Sequence, residues 1–591
     1  MRGQLIKLFM WGYQPHFRVD VELSMNAVMK ELGVSEAGAE CLLVGARIPC
    51  HENPNDVCVE PEEGKWPINL FDGLLEAIET EFASHPMQKI FYDDRPSMEE
   101  KPENIRKDSV RRAVQQALTS YDLDHGVHSF AGAPAPVGDY YVVPVLQLPG
   151  TLFQQFPPLH KPISDDGRFT GHESLIHAAI AEVLVEACNE LVQPEPGRNL
   201  RRRWASAEEL VRRAAASFMY TPGIVIGDKM FFAFDLFEQI NLMSSLMYEG
   251  TRGTGRLLLA QPDSVAVNMS LRFATPVPFR EPGWARKVLE LATGSTALIA
   301  DCAKIFGLGD VATDHNPGES QDVFVIEFLD HYHWRLLCGD KTLLISEYGR
   351  PSLPQAVLSR VLLLDTYQRL FPTANMEDFE CFWELCQAAV EQHHGSMLVV
   401  TEDAECEAAR LQSQGTQIES KKLTPTLYRQ VSGIDGAVIV DPYSNCYAIG
   451  VILDGLAHPA CTPSRGARYN SGIRYVHAAD AQCLAVVVSA DQTVNVIPEM
   501  RLRVQRSAIV TAIATLETAT ADNYHEAIRW LDRHRFYLSQ EQCDQVNAAL
   551  ERIQNEPMDV GELRIQWSKF SLHPDLDESF FLHEGTGSNS V

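Results

Sequence analysis

Between His394 and Pro498 apolar runs of strand length alternate with amphipathic stretches of helical length, and this restricts the segment to an α/β layering. HGSMLVVTE reads as a strand and DAECEAARLQSQ as a helix. IDGAVIVD and YAIGVILDG read as two more strands, SRGARYNSGIRYVHAA as a loop entering a helix, and CLAVVVSAD as a further strand. These runs are continuously apolar rather than alternating, which predicts a sheet covered on both faces.

The remaining sequence predicts a multidomain α/β protein. At roughly 100–200 residues per domain, 591 residues suggest three or four domains. Turn-rich breaks at QPEPGR and GRPSLP place a first mixed α/β domain over 1–196 and a second, a candidate regulatory domain, over 197–375. The alternating segment lies within 376–515, and a helical extension with a polar tail covers 516–591. In the first domain DGLLEAIETEF and SVRRAVQQAL have helical spacing and DYYVVPVLQL reads as a buried strand. The second opens on a basic amphipathic helix, NLRRRWASAEELVRRAAASF, followed by strand-like runs GIVIG, RLLLA, SVAVNMSLRF, STALIAD, DVFVIEFL and KTLLISE.

The formal net charge of −29 repels phosphate backbones over most of the surface, so duplex nucleic acid is not an expected partner. No apolar run reaches the ~18 residues that cross a bilayer, and the N-terminal stretch lacks a small-residue cleavage site. Thirteen cysteines, an odd number without regular spacing, suit reduced thiols, and a cytoplasmic location is expected.

One constellation carries chemistry. Asp435-Gly436-Ala437 heads an apolar strand, and Arg465-Gly466-Ala467-Arg468-Tyr469-Asn470-Ser471-Gly472 opens a helix. Ser489 and Asp491 end another strand. A carboxylate at a strand end can hold a divalent metal or orient a ribose hydroxyl, and a glycine beside it lets a ligand approach the backbone. A glycine- and arginine-containing loop opening a helix offers backbone N–H groups and a guanidinium to a phosphate. Taken singly, Asp-Gly and Arg/Gly pairs are mostly turns, and only their order and setting point to a site.

In that order the segment resembles the diadenylate cyclase domain of DisA-type proteins, which has a first strand, a DGA motif, a G-T-R-H-R loop and a V-S-E-E strand end. These are matched by His394–Val400, Asp435-Gly436-Ala437, Gly466-Ala467-Arg468-Tyr469-Asn470 and Val488-Ser489-Ala490-Asp491. The GARYNSG loop, with ILDG before it, also looks like a subgroup of multidomain bacterial proteins in which such domains have been proposed as nucleotide sensors in conflict systems. The resemblance implies two domains facing each other as a homo-oligomer, each holding a nucleoside triphosphate, and Mg2+ or Mn2+ at the active site. It implies an in-line displacement of pyrophosphate. Asp435 carries over as metal ligand and Arg468 as phosphate grip. Gly436, Ala437, Gly466, Ala467, Tyr469, Asn470, Ser471 and Ser489 are the further candidate nucleotide contacts, and Asp491, which can stand in for the family's second acid, is a candidate second metal ligand. Ala467 stands where the family has threonine, Tyr469 where it has histidine, Asn470 where it has arginine, and Ala490 where it has an acid. A phenol is a poor metal ligand at neutral pH, and an asparagine lacks the charged fork of arginine.

Three readings follow. The first is a nucleotidyltransferase that condenses nucleoside triphosphates into a di- or oligonucleotide signal, with a place in antiphage defence. The alternative is a catalytically silent sensor that binds a nucleotide messenger and regulates an effector protein; a scaffold with a vestigial pocket is the bland third.

Other motifs have plainer readings. Gly250–Arg256 (GTRGTGR) lacks the Gly-Lys-Ser/Thr of a Walker loop and reads as a hairpin turn. Asp330-His331-Tyr332-His333 lacks a third metal ligand and reads as a solvated strand with Trp334 packed behind it. Cys50, His51 and Cys58 lack a second pair. The arginines at 198, 201–203, 212 and 213 read as a helix face paired with acidic neighbours.

Overall fold

A computed structural model of the chain describes all residues except 1–9, 35–36, 50, 52, 62–65, 67, 92, 161–170, 199–203, 228–234, 294–295, 355–357, 391, 393–394, 463–465, 490–493, 522, 557–566, 575 and 583–591. The described residues form two compact units, the first ending at Pro354 and the second made of those beyond it.

The first unit holds two sheets. One comprises β1 (Glu40–Arg47), β2 (Val57–Glu60), β3 (Val127–Ala131), β4 (Ala135–Val137) and β5 (Tyr140–Pro149), ordered β2-β1-β5-β3 with β4 also on β5. Alternation along β1 sends Cys41 and Leu43 into a core shared with the helices Gln14–Glu31 and Leu175–Leu191. It sends Leu42 and Val44 into a second core, under the helices Leu74–Ser84 and Arg95–His125. The other sheet comprises β6 (Gly255–Leu259), β7 (Val267–Pro278), β8 (Ala297–Ala300), β9 (Lys304–Val311), β10 (Phe324–Asp330), β11 (His333–Cys338), β12 (Lys341–Glu347) and β13 (Arg350–Ser352). Its order is β13-β12-β11-β10-β6-β8-β9-β7. Trp334 on β11 is wholly buried and donates its indole N–H to Asn241 Oδ1 at 2.8 Å.

One expected strand is a helix. GIVIG falls in and just after the helix Tyr220–Val225, which follows directly on the helix Ala207–Phe218. A short apolar run buried on several sides reads alike as strand or helix, and here the preceding helix decides.

The second unit contains the alternating segment. Its sheet comprises β14 (Ser396–Thr401), β15 (Thr416–Lys422), β16 (Ala437–Val440), β17 (Asn445–Val451), β18 (Cys483–Val488) and β19 (Val494–Ile497), ordered β15-β17-β16-β14-β18-β19. β14 and β16 run parallel, whereas β18 is antiparallel to β14. Every residue of β14, β16 and β18 is buried. Leu398, Val400, Val438, Leu484 and Val486 face the helices Arg360–Leu370 and Met376–Val390. Met397, Val399, Ile439, Ala485 and Val487 face the helices Ala404–Arg410 and Ala467–Ala478. At ~1.5–3 kcal/mol per buried aliphatic side chain, this double cover stabilises the sheet from both faces. The helices Arg506–Thr518, His525–Arg533 and Gln540–Gln554 build a separate core that takes in Phe570 and Phe581.

Candidate functional site

Strand direction brings the distant motifs to one end of the second-unit sheet. Met397 pairs with Ala437 in parallel and Ser396 with Val488 in antiparallel register. Asp435, just before β16, and Ser489, just after β18, therefore flank the start of β14. Gly436 allows the close approach of the neighbouring strand. Its φ is +125°, and a Cβ there would lie 2.4 Å from the Gly450 carbonyl carbon. The glycine lets β16 and β17 close up; Ala437 is fully buried in the core and offers no ligand-contacting surface beside Asp435, against the sequence expectation, whereas Gly436 is half-buried.

The helix Ala467–Ala478 delivers the second half of the site. It lies on the sheet through Gly472, where a Cβ would meet Ile497 Cδ1 at 3.0 Å and Val487 Cγ2 at 3.2 Å. Its N-cap is the exposed Gly466, which has no side chain to cap the first turn. From this turn Arg468 Nη2 donates to Asp435 Oδ1 at 2.6 Å. Arg468 Nε is buried and has no partner among the described residues. The Asp435 side chain is 87% exposed. The carboxylate and the guanidinium thus converge at an open surface.

The other candidates divide. Gly466 and Ala467 are exposed at the helix mouth, and Ser489 is half-buried at the strand end. Asn470 braces its own loop: its amide donates to Thr462 O at 3.0 Å and accepts from Thr462 N at 3.0 Å. Tyr469 packs against the core of the helix-covered face. Ser471 accepts from Arg474 Nη2 at 3.1 Å. Asp491 lies outside the described residues.

A supporting network escaped the sequence reading. Arg410 grips Asp454 with both Nη atoms, at 2.6 and 2.9 Å, and Glu407 with Nε and Nη2, at 2.9 and 2.8 Å. Tyr475 OH donates to Glu407 at 2.8 Å. The Arg410 guanidinium holds Glu407 and Asp454 below the usual carboxylate range. The network ties the ILDG turn after β17 to the site helix. Asp454-Gly455 is a visible signal, but its partner lies 44 positions away.

Several of the plainer motifs are turns or paired surfaces; residues 330–333, expected as a strand, contain the turn joining β10 to β11, with Tyr332 at φ +54°, and Cys50 and Arg201, Arg202 and Arg203 lie outside the described residues. In GTRGTGR, Gly253 crowds the buried Arg286, which donates to Thr251 O and Leu246 O, each at 3.0 Å. Arg213 pairs with Glu182 and Glu186, Arg212 with Glu238, and Arg198 with Glu195. His51 pairs with Asp139 at 2.8 Å, and Cys58 is buried in the core. The described cysteines are free thiols, and no helix among the described residues is long and apolar enough to cross a membrane.

Comparison with protein families places these observations. Residues 384–501, which span the sheet, Asp435 and Arg468, match the family model described as DisA bacterial checkpoint controller nucleotide-binding. This segment is a DAC domain. Two further models precede the DAC domain: a probable sensor domain DACNG over 10–219 and a probable sensor domain DACNH over 234–340. The multidomain DAC arrangement and the mixed sheet flanked by helices are therefore as the sequence suggested. Among solved structures the chain is similar to a double mutant of DacA from Staphylococcus aureus, at 18% identity, covering 21% of this chain and 83% of that one, with a TM-score of 0.18. It is also similar to a hypothetical membrane spanning protein from Bacillus cereus, at 22% identity, covering 22% of this chain and 65% of that one, with a TM-score of 0.18. No curated protein matches the chain.

Proposed function

We propose that the DAC domain is a nucleotidyltransferase that joins nucleoside triphosphates into a di- or oligonucleotide signal. The observation that carries this reading is the convergence of Arg468 and Asp435 at 2.6 Å at the N-terminus of the helix Ala467–Ala478. Arg468 and the first-turn amides bind the triphosphate, and Asp435 orients the attacking ribose hydroxyl. That oxygen bonds to the α-phosphorus of the second nucleotide, pyrophosphate leaves, and the hydroxyl proton passes to solvent. Mg2+ or Mn2+ suits the donor set, because such ions commonly take one or two carboxylates and complete their shell with substrate phosphate and water. Held by Asp435, with Asp491 as a second candidate ligand, the ion would offset charge on the transferring phosphoryl. A second copy of the DAC domain supplies the other nucleotide.

A second reading is a sensor that binds a nucleotide without turnover and signals to an effector protein. It is favoured by the use of Tyr469 and Asn470 for packing and loop bracing, at positions where the family places a metal ligand and a phosphate grip. Incubation with mixed ribo- and deoxyribonucleoside triphosphates and Mg2+ or Mn2+ separates the two: pyrophosphate and a new product lost in Asp435→Asn support synthesis, and binding without turnover supports sensing. A role in antiphage defence is part of the first proposal, and phage challenge of cells carrying Asp435→Asn tests it.

A further inference from the structure

A cavity of about 280 Å3 opens in the first unit, where the helices Leu74–Ser84 and Arg95–His125 cross the ends of β1 and β5. It lies within the segment matching the first probable sensor domain. Its volume is many times the ~30 Å3 share of one water, so it exceeds a packing defect and approaches the roughly 300 Å3 lower end of small-molecule sites. Leu75, Ile78, Val110 and Tyr141 form apolar walls. Tyr141 is held in place, its hydroxyl donating to Glu103 at 2.9 Å, so the ring is a fixed surface.

Two arginines, Arg47 and Arg106, and two carboxylates, Glu76 and Glu79, line the cavity, and the two arginines are held unequally. Arg47 is engaged by Asp56, at 2.7 and 3.1 Å, and by His51 O at 3.0 Å. Arg106 is sunk to 17% exposure, lies 4.1 Å over the Phe82 ring, and among the described residues pairs with Glu79 at 2.6 Å. Glu79 is 60% exposed. An exposed carboxylate on a surface pair is easily displaced. A ligand that buries an apolar body against the walls can put its own anion in place of Glu79.

We infer that this cavity binds a small aromatic monoanion, with Arg106 as the anion partner and Glu79 as an internal competitor. This goes beyond the DAC reading and stands or falls apart from it.

Fluorescence titration of the full chain with 8-anilinonaphthalene-1-sulfonate, beside its uncharged analogue N-phenyl-1-naphthylamine, tests the inference. Arg106→Gln should weaken the sulfonate probe about tenfold, as expected for losing a charged hydrogen bond, and leave the neutral probe unchanged. Leu75→Trp should fill the cavity and abolish binding of both. Glu79→Gln, at an exposed position that folding tolerates, should tighten the sulfonate probe severalfold and leave the neutral one unchanged. Sulfonate binding indifferent to Leu75→Trp, or weakened by Glu79→Gln, overturns the proposal. Equal loss of both probes in Arg106→Gln overturns the anion assignment.

Discussion

Arg468 and Asp435 lie thirty-three positions apart in the chain and meet at 2.6 Å, with their side chains 37% and 87% exposed. A pair this open contributes only about 0–1 kcal/mol to folding, so its two members can be separated cheaply by an incoming ligand. Arg468→Gln should therefore shift the unfolding midpoint little while weakening ATP–Mg2+ binding by about tenfold or more, the cost of one charged hydrogen bond to phosphate. Thermal unfolding and calorimetric titration of the same preparation measure both. Unchanged affinity would remove Arg468 from the site.

The same pair predicts a metal-dependent change of sign at Asp435. Without a divalent ion its carboxylate repels a triphosphate and occupies Arg468, and with the ion it becomes a ligand. Asp435→Asn should bind ATP more tightly than the unaltered protein in EDTA and more weakly in Mg2+ or Mn2+. The same direction of change in both conditions would dissociate Asp435 from the metal.

Gly436 answers to backbone geometry instead. Its φ is +125°, and an added methyl group would sit 2.4 Å from the Gly450 carbonyl carbon, so Gly436→Ala combines a strained conformation with a backbone clash. Its expected cost is about 2–4 kcal/mol in urea unfolding, far above that of either charge change beside it. A loss below about 1 kcal/mol would show that β16 and β17 separate easily there.

Acid should loosen the brace behind the site. Arg410 hydrogen bonds lower the pKa of Glu407 and of Asp454. A folded-state pKa below the unfolded one adds stability at neutral pH, lost as pH falls from about 4 through the folded value. The gain is modest because Arg410 and Asp454 are nearly half exposed. Arg410→Gln should lower stability at neutral pH and flatten its decline below about pH 4, as read from urea midpoints across that range. A parallel decline in both proteins would place the acid sensitivity elsewhere.

Much of the DAC sheet was legible because β14, β16 and β18 are continuously apolar, a pattern that requires cover on both faces. β15, TQIESKK, escaped because an edge strand exposed along most of its length carries no hydrophobic signature. The pairing of Asp435 with Arg468 was readable as motif order. The use made of Asn470 was not, since an asparagine bracing Thr462 and one reaching for a base have the same local sequence. Gly436 stands out in the sequence as a place for a ligand to approach, yet its missing Cβ makes room for Gly450 on the neighbouring strand. The Arg410 network depends on a turn and two helices meeting in space, so local spacing could not show it.

The most direct test is pyrophosphate release by the full chain with mixed ribo- and deoxyribonucleoside triphosphates and Mn2+ or Mg2+. Release is expected together with a new phosphodiester-linked product, and both should vanish in Asp435→Asn and fall sharply in Arg468→Gln while the variants stay folded. Neither binding nor turnover of any triphosphate, or turnover indifferent to both substitutions, would contradict the convergence of these two residues on one nucleotide.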